Sequence, residues 1–149
     1  MKVDVKCVRV KRQRYFQYTA LDDCTRFRVL RLYRQLNHRT ILAFLREAWA
    51  AMPFPIRKLR SDNGAEWPLA FALSVQAAWI RHGYITPRRP DQSGKVEYSH
   101  RIDDEEFWHR QSFASFEDAT AALEAWGHRY NQSASRWLCV ATHRTRYWR

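Results

Sequence analysis

Polar and apolar positions alternate over residues 3–10, VDVKCVRV. Val3, Val5, Cys7 and, less cleanly, Arg9 share one face, and Asp4, Lys6 and Val8 share the other. That period of two predicts a strand. Residues 14–21, RYFQYTAL, are rich in aromatics and predict a second. Residues 26–33, RFRVLRLY, set Arg28, Leu30 and Leu32 against Phe27, Val29, Arg31 and Tyr33 and predict a third. The links are short, which favours an antiparallel meander. The period then changes. Ile41, Phe44, Leu45, Ala48, Trp49 and Met52 fall on one helical stripe, with Asn37 placed to cap it and Pro53 and Pro55 to end it.

A short fourth strand is expected over 56–61. Phe71, Val75, Ala78, Trp79 and His82 then mark a second helix, closed by Gly83, and 84–86 a short fifth strand before Pro87. Residues 87–94, PRRPDQSG, read as a loop, and 95–110 as a third helix. A fourth carries Phe116, Ala119, Leu123, Trp126 and Tyr130, with Ser115 as its N-cap. The order βββ-α-β-α-β-α-α predicts an α/β domain, a five-stranded mixed sheet with helices on both faces. It is the order of the ribonuclease H-like fold.

The 149 residues and 46% hydrophobic content suit one domain with a real core and argue against disorder. No apolar run approaches the roughly 18 residues of a membrane span and no secretory leader is visible, so the expected location is cytoplasmic. The formal charge of +11, mostly Arg, points to a polyanion and above all to nucleic acid. Cys7, Cys24 and Cys139 are odd in number and far apart, which supports neither a disulfide framework nor a cysteine zinc site. Buried or idle thiols and surface histidines are the expectation for these groups.

The carboxylates need weighing one at a time. Asp4 lies inside a strand, where a charge is costly unless paired or metal-bound; Lys2 and Lys6 are candidate partners. Asp62 ends the fourth strand in RSDNGAEW, where ligands collect in mixed α/β sheets, but an Asn-Gly turn also explains it. Glu66 reads as a first-turn acid of the next helix. Glu97 follows Gly94 by three residues, so with Gly94 as N-cap it is simply a capping glutamate. Asp22 and Asp23 read as turn residues, and the run Asp103, Asp104, Glu105, Glu106 as a solvated helix face balancing Arg101 and Arg110.

Together, VDVK, YTALDDCTR, RSDNGAEW and DQSGKVEYSHRIDDEEF resemble the catalytic core of insertion-sequence transposases of the retroviral-integrase superfamily. That family carries an Asp-Asp-Glu triad: the first acid in the first strand, the second in a T/S-D-N-G stretch, the Glu about 35 residues later in a G-x-x-E context. Here 97 − 62 = 35, and the resemblance, over roughly residues 3–131, implies Asp4, Asp62 and Glu97 as catalytic, metal-holding acids. It implies a polynucleotidyl transferase using two Mg²⁺ or Mn²⁺ ions. Water attacks a phosphodiester to free a 3′-hydroxyl, and that hydroxyl attacks target DNA.

The partners implied are DNA and further copies of the chain as a dimer or higher multimer, in a bacterial cytoplasm and on the nucleoid when bound to DNA. No membrane and no small-molecule cofactor are expected. Lys95, His100, Arg101, Arg88 and Arg89 are the phosphate-contact candidates, with Asn63 and Gln92 as further DNA-facing or ligand-orienting residues.

The chain departs from the family at both ends. Family members carry helix-turn-helix segments before the core, whereas this chain begins three residues before Asp4. After RYN, 129–131, the stretch QSASRWLCVATHRTRYWR lacks the family's continuation, which suggests a core over 1–131 and an atypical basic tail over 132–149, from a frameshift or a truncated reading frame. The alternative function is therefore a catalytically silent remnant that folds, self-associates and binds DNA non-specifically. Trp137, Tyr147 and Trp148 would suit an interface, or lie in a loosely packed tail. A plain ribonuclease H fits less well, because its acids are spaced differently.

Overall fold

The structure, a computed structural model, describes residues 1–61, 75–76, 80–84 and 90–144; for 90–93 and 134–144 it describes the backbone. Strands β1 (Lys2–Val10), β2 (Gln13–Leu21) and β3 (Arg28–Tyr33) form the expected meander, followed by helix α1 (His38–Ala51), β4 (Lys58–Ser61) and β5 (Arg81–Tyr84). Helix α2 (Pro90–Asp103) runs into a π-helical turn (Asp104–Trp108), and α3 (Phe116–Arg144) follows. The sheet order is β3-β2-β1-β4-β5. β1–β2 and β2–β3 are antiparallel, while β1–β4 and β4–β5 are parallel.

The alternation read along β1 divides the sheet as expected. Val3, Tyr18, Ala20 and Val29 pack with Ile41, Phe44, Leu45 and Ala48 of α1 on one face. Val8, Val10, Tyr15, Leu30 and Leu32 pack with Phe107, Phe113, Ala119 and Leu123 on the other. Each fully buried Leu, Ile or Phe contributes about 2 kcal/mol of transfer free energy, so the two layers dominate the favourable terms. Asn37 caps α1: its Oδ1 accepts from the N–H groups of Arg39 and Thr40, each at 3.0 Å, and Thr40 Oγ1 accepts from Asn37 N at 3.1 Å. Ser115 caps α3 through its Oγ and the Asp118 N–H, 3.1 Å.

Several boundaries differ from expectation. His82 and Gly83 lie in β5, not at the end of a helix: Gly83 pairs with Arg60 in the parallel ladder. Val75 and Gln76 are helical, and Ile80 N already closes onto Val75 O at 3.2 Å, so the chain leaves the helix before Arg81. The parallel pairing of β4 outweighs the helix-ending preference of a glycine. The segment expected as a loop to residue 94 is helical from Pro90, which suits the first turn of a helix because it lacks an N–H. Gly94 is therefore inside α2 and not its cap, and Glu97 is not a capping residue. The third helix does not run regularly to residue 110; it changes to π at Asp104. The backbone of α3 continues through Asn131 to Arg144. Among the described residues no helix is long and apolar enough to cross a membrane.

Candidate active site

The half of β1 nearest its start is polar on the face that α2 covers. In that face lie Lys2, Asp4 and Lys6 of β1, with Thr19 opposite Asp4 and Gln17 opposite Lys6 on β2. Lys2 Nζ lies 3.3 Å from Asp23 and Lys6 Nζ 2.7 Å from Asp104. Asp4 Oδ1 accepts the Val5 N–H at 2.8 Å, and Oδ2 lies 3.6 Å from His100 Nδ1 of α2. The other ring nitrogen of His100 is 3.3 Å from Thr19 Oγ1. Burial, helped by the nearby Lys6 ammonium, pulls the His100 pKa down from 6.5 to about 4, so at neutral pH an uncharged imidazole faces Asp4.

Glu97 is one turn before His100 on α2 and is exposed. At 100° per residue it flanks the buried stripe Val96, Ser99, Asp103, on the side His100 shares. The fold thus sets Glu97 on the turn of helix adjoining the one that meets Asp4. Asp62, the third expected acid, lies outside the described residues, as do Asn63, Arg88 and Arg89; β4 ends at Ser61, one residue earlier. Glu66 lies outside them too. Gln92 lies on the α2 backbone, and its side chain is not described. Among the described residues no three His, Cys, Asp or Glu side chains come together as a metal cluster. The chemistry of Asp4 and Glu97, hard carboxylate oxygens on facing elements, nonetheless fits a hard divalent cation such as Mg²⁺.

The basic candidates of α2 divide by direction. Lys95 Nζ is held by the Asp23 carbonyl at 3.0 Å, and His100 turns inward with its side chain 14% exposed. Arg101 points outward, its side chain 66% exposed. His100 is thus not a surface histidine. Cys7 and Cys24 are free and exposed, not buried. Asp22 is a turn residue as expected: its Oδ2 accepts from Cys24 N, Thr25 N and Thr25 Oγ1.

The acidic run needs the largest correction. Asp103 has no exposed side-chain surface and pairs with Arg28, equally buried, at 2.8 Å. Gln17 Nε2 donates to Asp103 Oδ2 at 2.8 Å and Trp126 Nε1 to Oδ1 at 2.9 Å. Arg28 also donates to Ser99 Oγ at 3.0 Å and lies over the Tyr130 ring, 3.7 Å from its centroid. This buried network locks the inner face of α2 to β2, β3 and α3. The sequence held a signal, Asp103 continuing the stripe of Val96 and Ser99 and Arg28 sharing a strand face with Leu30 and Leu32, but the three acidic neighbours of Asp103 masked it.

This topology is that of the ribonuclease H-like fold of integrase catalytic cores. Residues 78–134 match the family model described as an integrase core domain. Among solved structures, a chain in the simian T-cell lymphotropic virus intasome complex aligns with TM-score 0.69 at 20% identity, over 82% of this chain and 45% of that one. The HTLV-2 integrase catalytic core domain in complex with magnesium, in its dimeric form, aligns with TM-score 0.65 at 16% identity, over 82% of this chain and 81% of that one. Its trimeric form gives TM-score 0.60 at 16% identity, over 70% and 65%. The chain spans under half the length of the intasome chain it matches. No protein with a curated description matches its sequence.

Proposed function

We propose that this chain is a metal-dependent DNA strand-nicking and strand-transfer core in which Asp4, Asp62 and Glu97 hold the divalent ions. The single observation that carries the reading is the packing of α2 on β1, which brings His100 to 3.6 Å from Asp4 and leaves Glu97 one turn away. The match of residues 78–134 to an integrase core model and the magnesium complex of a similar fold support it. When bound, a pair of Mg²⁺ or Mn²⁺ ions supplies Lewis-acid activation of the attacking oxygen and stabilisation of the leaving one.

The residues do the rest. The Val5 N–H holds Asp4 Oδ1, so Oδ2 is the oxygen turned towards α2. Arg101 stands outside the acids, where it can neutralise a DNA phosphate, and Asn63, Arg88, Arg89 and Gln92 are further DNA contacts. In the first step a water oxygen attacks phosphorus, the P–O3′ bond breaks, and a 3′-hydroxyl and a 5′-phosphate leave. In the second that 3′-oxygen attacks a target phosphodiester, displacing its 3′-oxygen. Two DNA ends handled together call for two or more copies of the chain.

The test is Mn²⁺-dependent nicking of plasmid and of oligonucleotide ends. Activity that disappears in Asp62→Asn and Asp4→Asn supports the enzyme. Equal activity in wild type and variants, or none in any, leaves a folded DNA-binding remnant.

A further inference from the structure

Beyond Cys7 the described sheet narrows to two strands. The outermost pair between β2 and β3 is Phe16 with Tyr33, and β4 meets β1 only at Lys2. Residues 8–15 therefore form a two-stranded ribbon that projects past its neighbours. Val8, Val10 and Tyr15 close one face of it against the cluster of Phe107 and Phe113. The other face and the tip carry Arg9, Lys11, Arg12 and Arg14, all exposed. Arg9 sits directly opposite Arg14, and like charges so placed repel. Lys11 and Arg12 make the turn with positive φ, a backbone conformation that disfavours both. Among the described residues none of these four has an acid partner. Lys2, Lys6, Arg28 and Arg31, the other cations of β1 to β3, all do. Charges that only guarded the ribbon's edges could stand apart from one another; these are crowded together over residues 9–14.

We propose that the tip of the β1–β2 hairpin, through Arg9, Lys11, Arg12 and Arg14, is a contact site for the phosphates of duplex DNA, separate from the acids. This goes beyond the strand-transfer reading and does not require the chain to cut. Four clustered cations call for an anion of matching charge density, and duplex DNA carries one charge per roughly 1.7 Å of its axis. Three of the four are arginines, whose guanidinium forks onto phosphate. A two-stranded ribbon also has the width that the major groove admits, so cations on its two strands can reach the phosphates on either side. Phosphate contacts carry no sequence information, so binding here is indifferent to sequence. Position makes the site separate. Lys11 stands seven positions past Asp4 on one strand and its turn, about 23 Å at the rise of a strand. Arg9 and Arg14 lie on the sheet face opposite Asp4.

The experiment measures binding of the full chain, without divalent metal, to two fluorescent duplexes of unrelated sequence over a range of KCl concentrations. Two variants each remove a pair of tip charges: Arg9→Gln with Arg14→Gln, and Lys11→Asn with Arg12→Gly. Each weakens binding about tenfold, equally on both duplexes, and lowers the slope of log affinity against log salt by about 2. The turn variant does so while its urea midpoint rises, so its loss of binding is not a loss of fold. Arg31→Gln with Arg34→Gln takes away the same charge from cations already held by Glu47 and Glu117 and leaves the slope nearly unchanged. An equal fall in that control, or none in the tip variants, overturns the site. So does a loss confined to single-stranded DNA. Tip variants that bind DNA as the wild type does but self-associate in sedimentation also overturn it, since the charges would then only guard the ribbon's edges. Nicking is scored separately: a tip that binds in a chain that never nicks removes the strand-transfer reading alone.

Discussion

Arg28 of β3 and Asp103 of α2 meet at 2.8 Å with neither side chain exposed. Burial pulls the Arg28 pKa below the usual arginine value, and the Asp103 carboxylate opposes that shift. The two groups are 75 positions apart, and their pair fastens the helix bearing Glu97 to the sheet bearing Asp4. A buried pair contributes little over a well-packed apolar one, but loss of one partner strands the other. Arg28→Met leaves Asp103 with only the donors of Gln17 and Trp126. We expect a loss of about 3 kcal/mol in urea unfolding. Arg28→Met with Asp103→Leu recovers part of it, although Gln17 and Trp126 then lack their acceptor.

The turn between β1 and β2 offers the opposite effect. Val10 pairs with Gln13, so Lys11 and Arg12 alone make the hairpin loop, with φ of 47° and 66°. Two-residue hairpins with both central φ positive favour Asn-Gly, and side chains in the left-handed region cost about 1 kcal/mol each. Lys11→Asn with Arg12→Gly is expected to raise stability by about 1 kcal/mol, seen as a higher urea midpoint at unchanged slope.

What could be read from the chain followed periodicity. β1 and β3 were legible from their alternation and β2 from its aromatics, and α1 and α3 because Asn37 and Ser115 precede apolar stripes. The β5 edge was not, because Gly83 has the same appearance at a helix end and in a parallel strand, and only its pairing with Arg60 decides. The start of α2 was hidden by Pro90 and Gly94, two residues with breaker character, one of which suits a first turn. Of the candidate site, Asp4 and the direction of its face were legible from alternation. The inward turn of His100 was not, since it depends on where α2 meets Thr19, a contact 81 positions away. Asp103 was disguised by its three acidic neighbours.

Glu97 gives a clean separation of chemistry from stability. It is exposed, and its position inside α2 removes any capping role. Glu97→Gln is therefore expected to keep the melting temperature within the scatter of surface substitutions, about 0.5 kcal/mol. It should abolish Mn²⁺-dependent nicking. Unfolding of Glu97→Gln, or nicking at the wild-type rate, would remove Glu97 from the site.

His100 sets an acid limit on the metal-free protein. Its pKa lies near 4 in the fold and 6.5 in the unfolded chain, with burial the main cause. Between those values the unfolded chain binds more protons, so stability rises with pH there. The contribution is complete above pH 6.5, is lost as pH falls towards 4, and changes no further below. At about 1.4 kcal/mol per pH unit, the loss reaches about 2 kcal/mol by pH 4.5. Lys6, Asp103, Asp104 and Arg28 surround the ring and modify this, but none replaces the desolvation of a charged imidazole wedged between α2, Asp4 and Thr19. Urea unfolding at pH 7.5, 5.5 and 4.5 should show this loss in the wild type. In His100→Asn the decline should be shallower by about that amount, the remaining slope belonging to carboxylates elsewhere. Parallel pH curves for the two proteins would mean that His100 takes up its proton in the fold at the ordinary pH, and that the ring is not held inside.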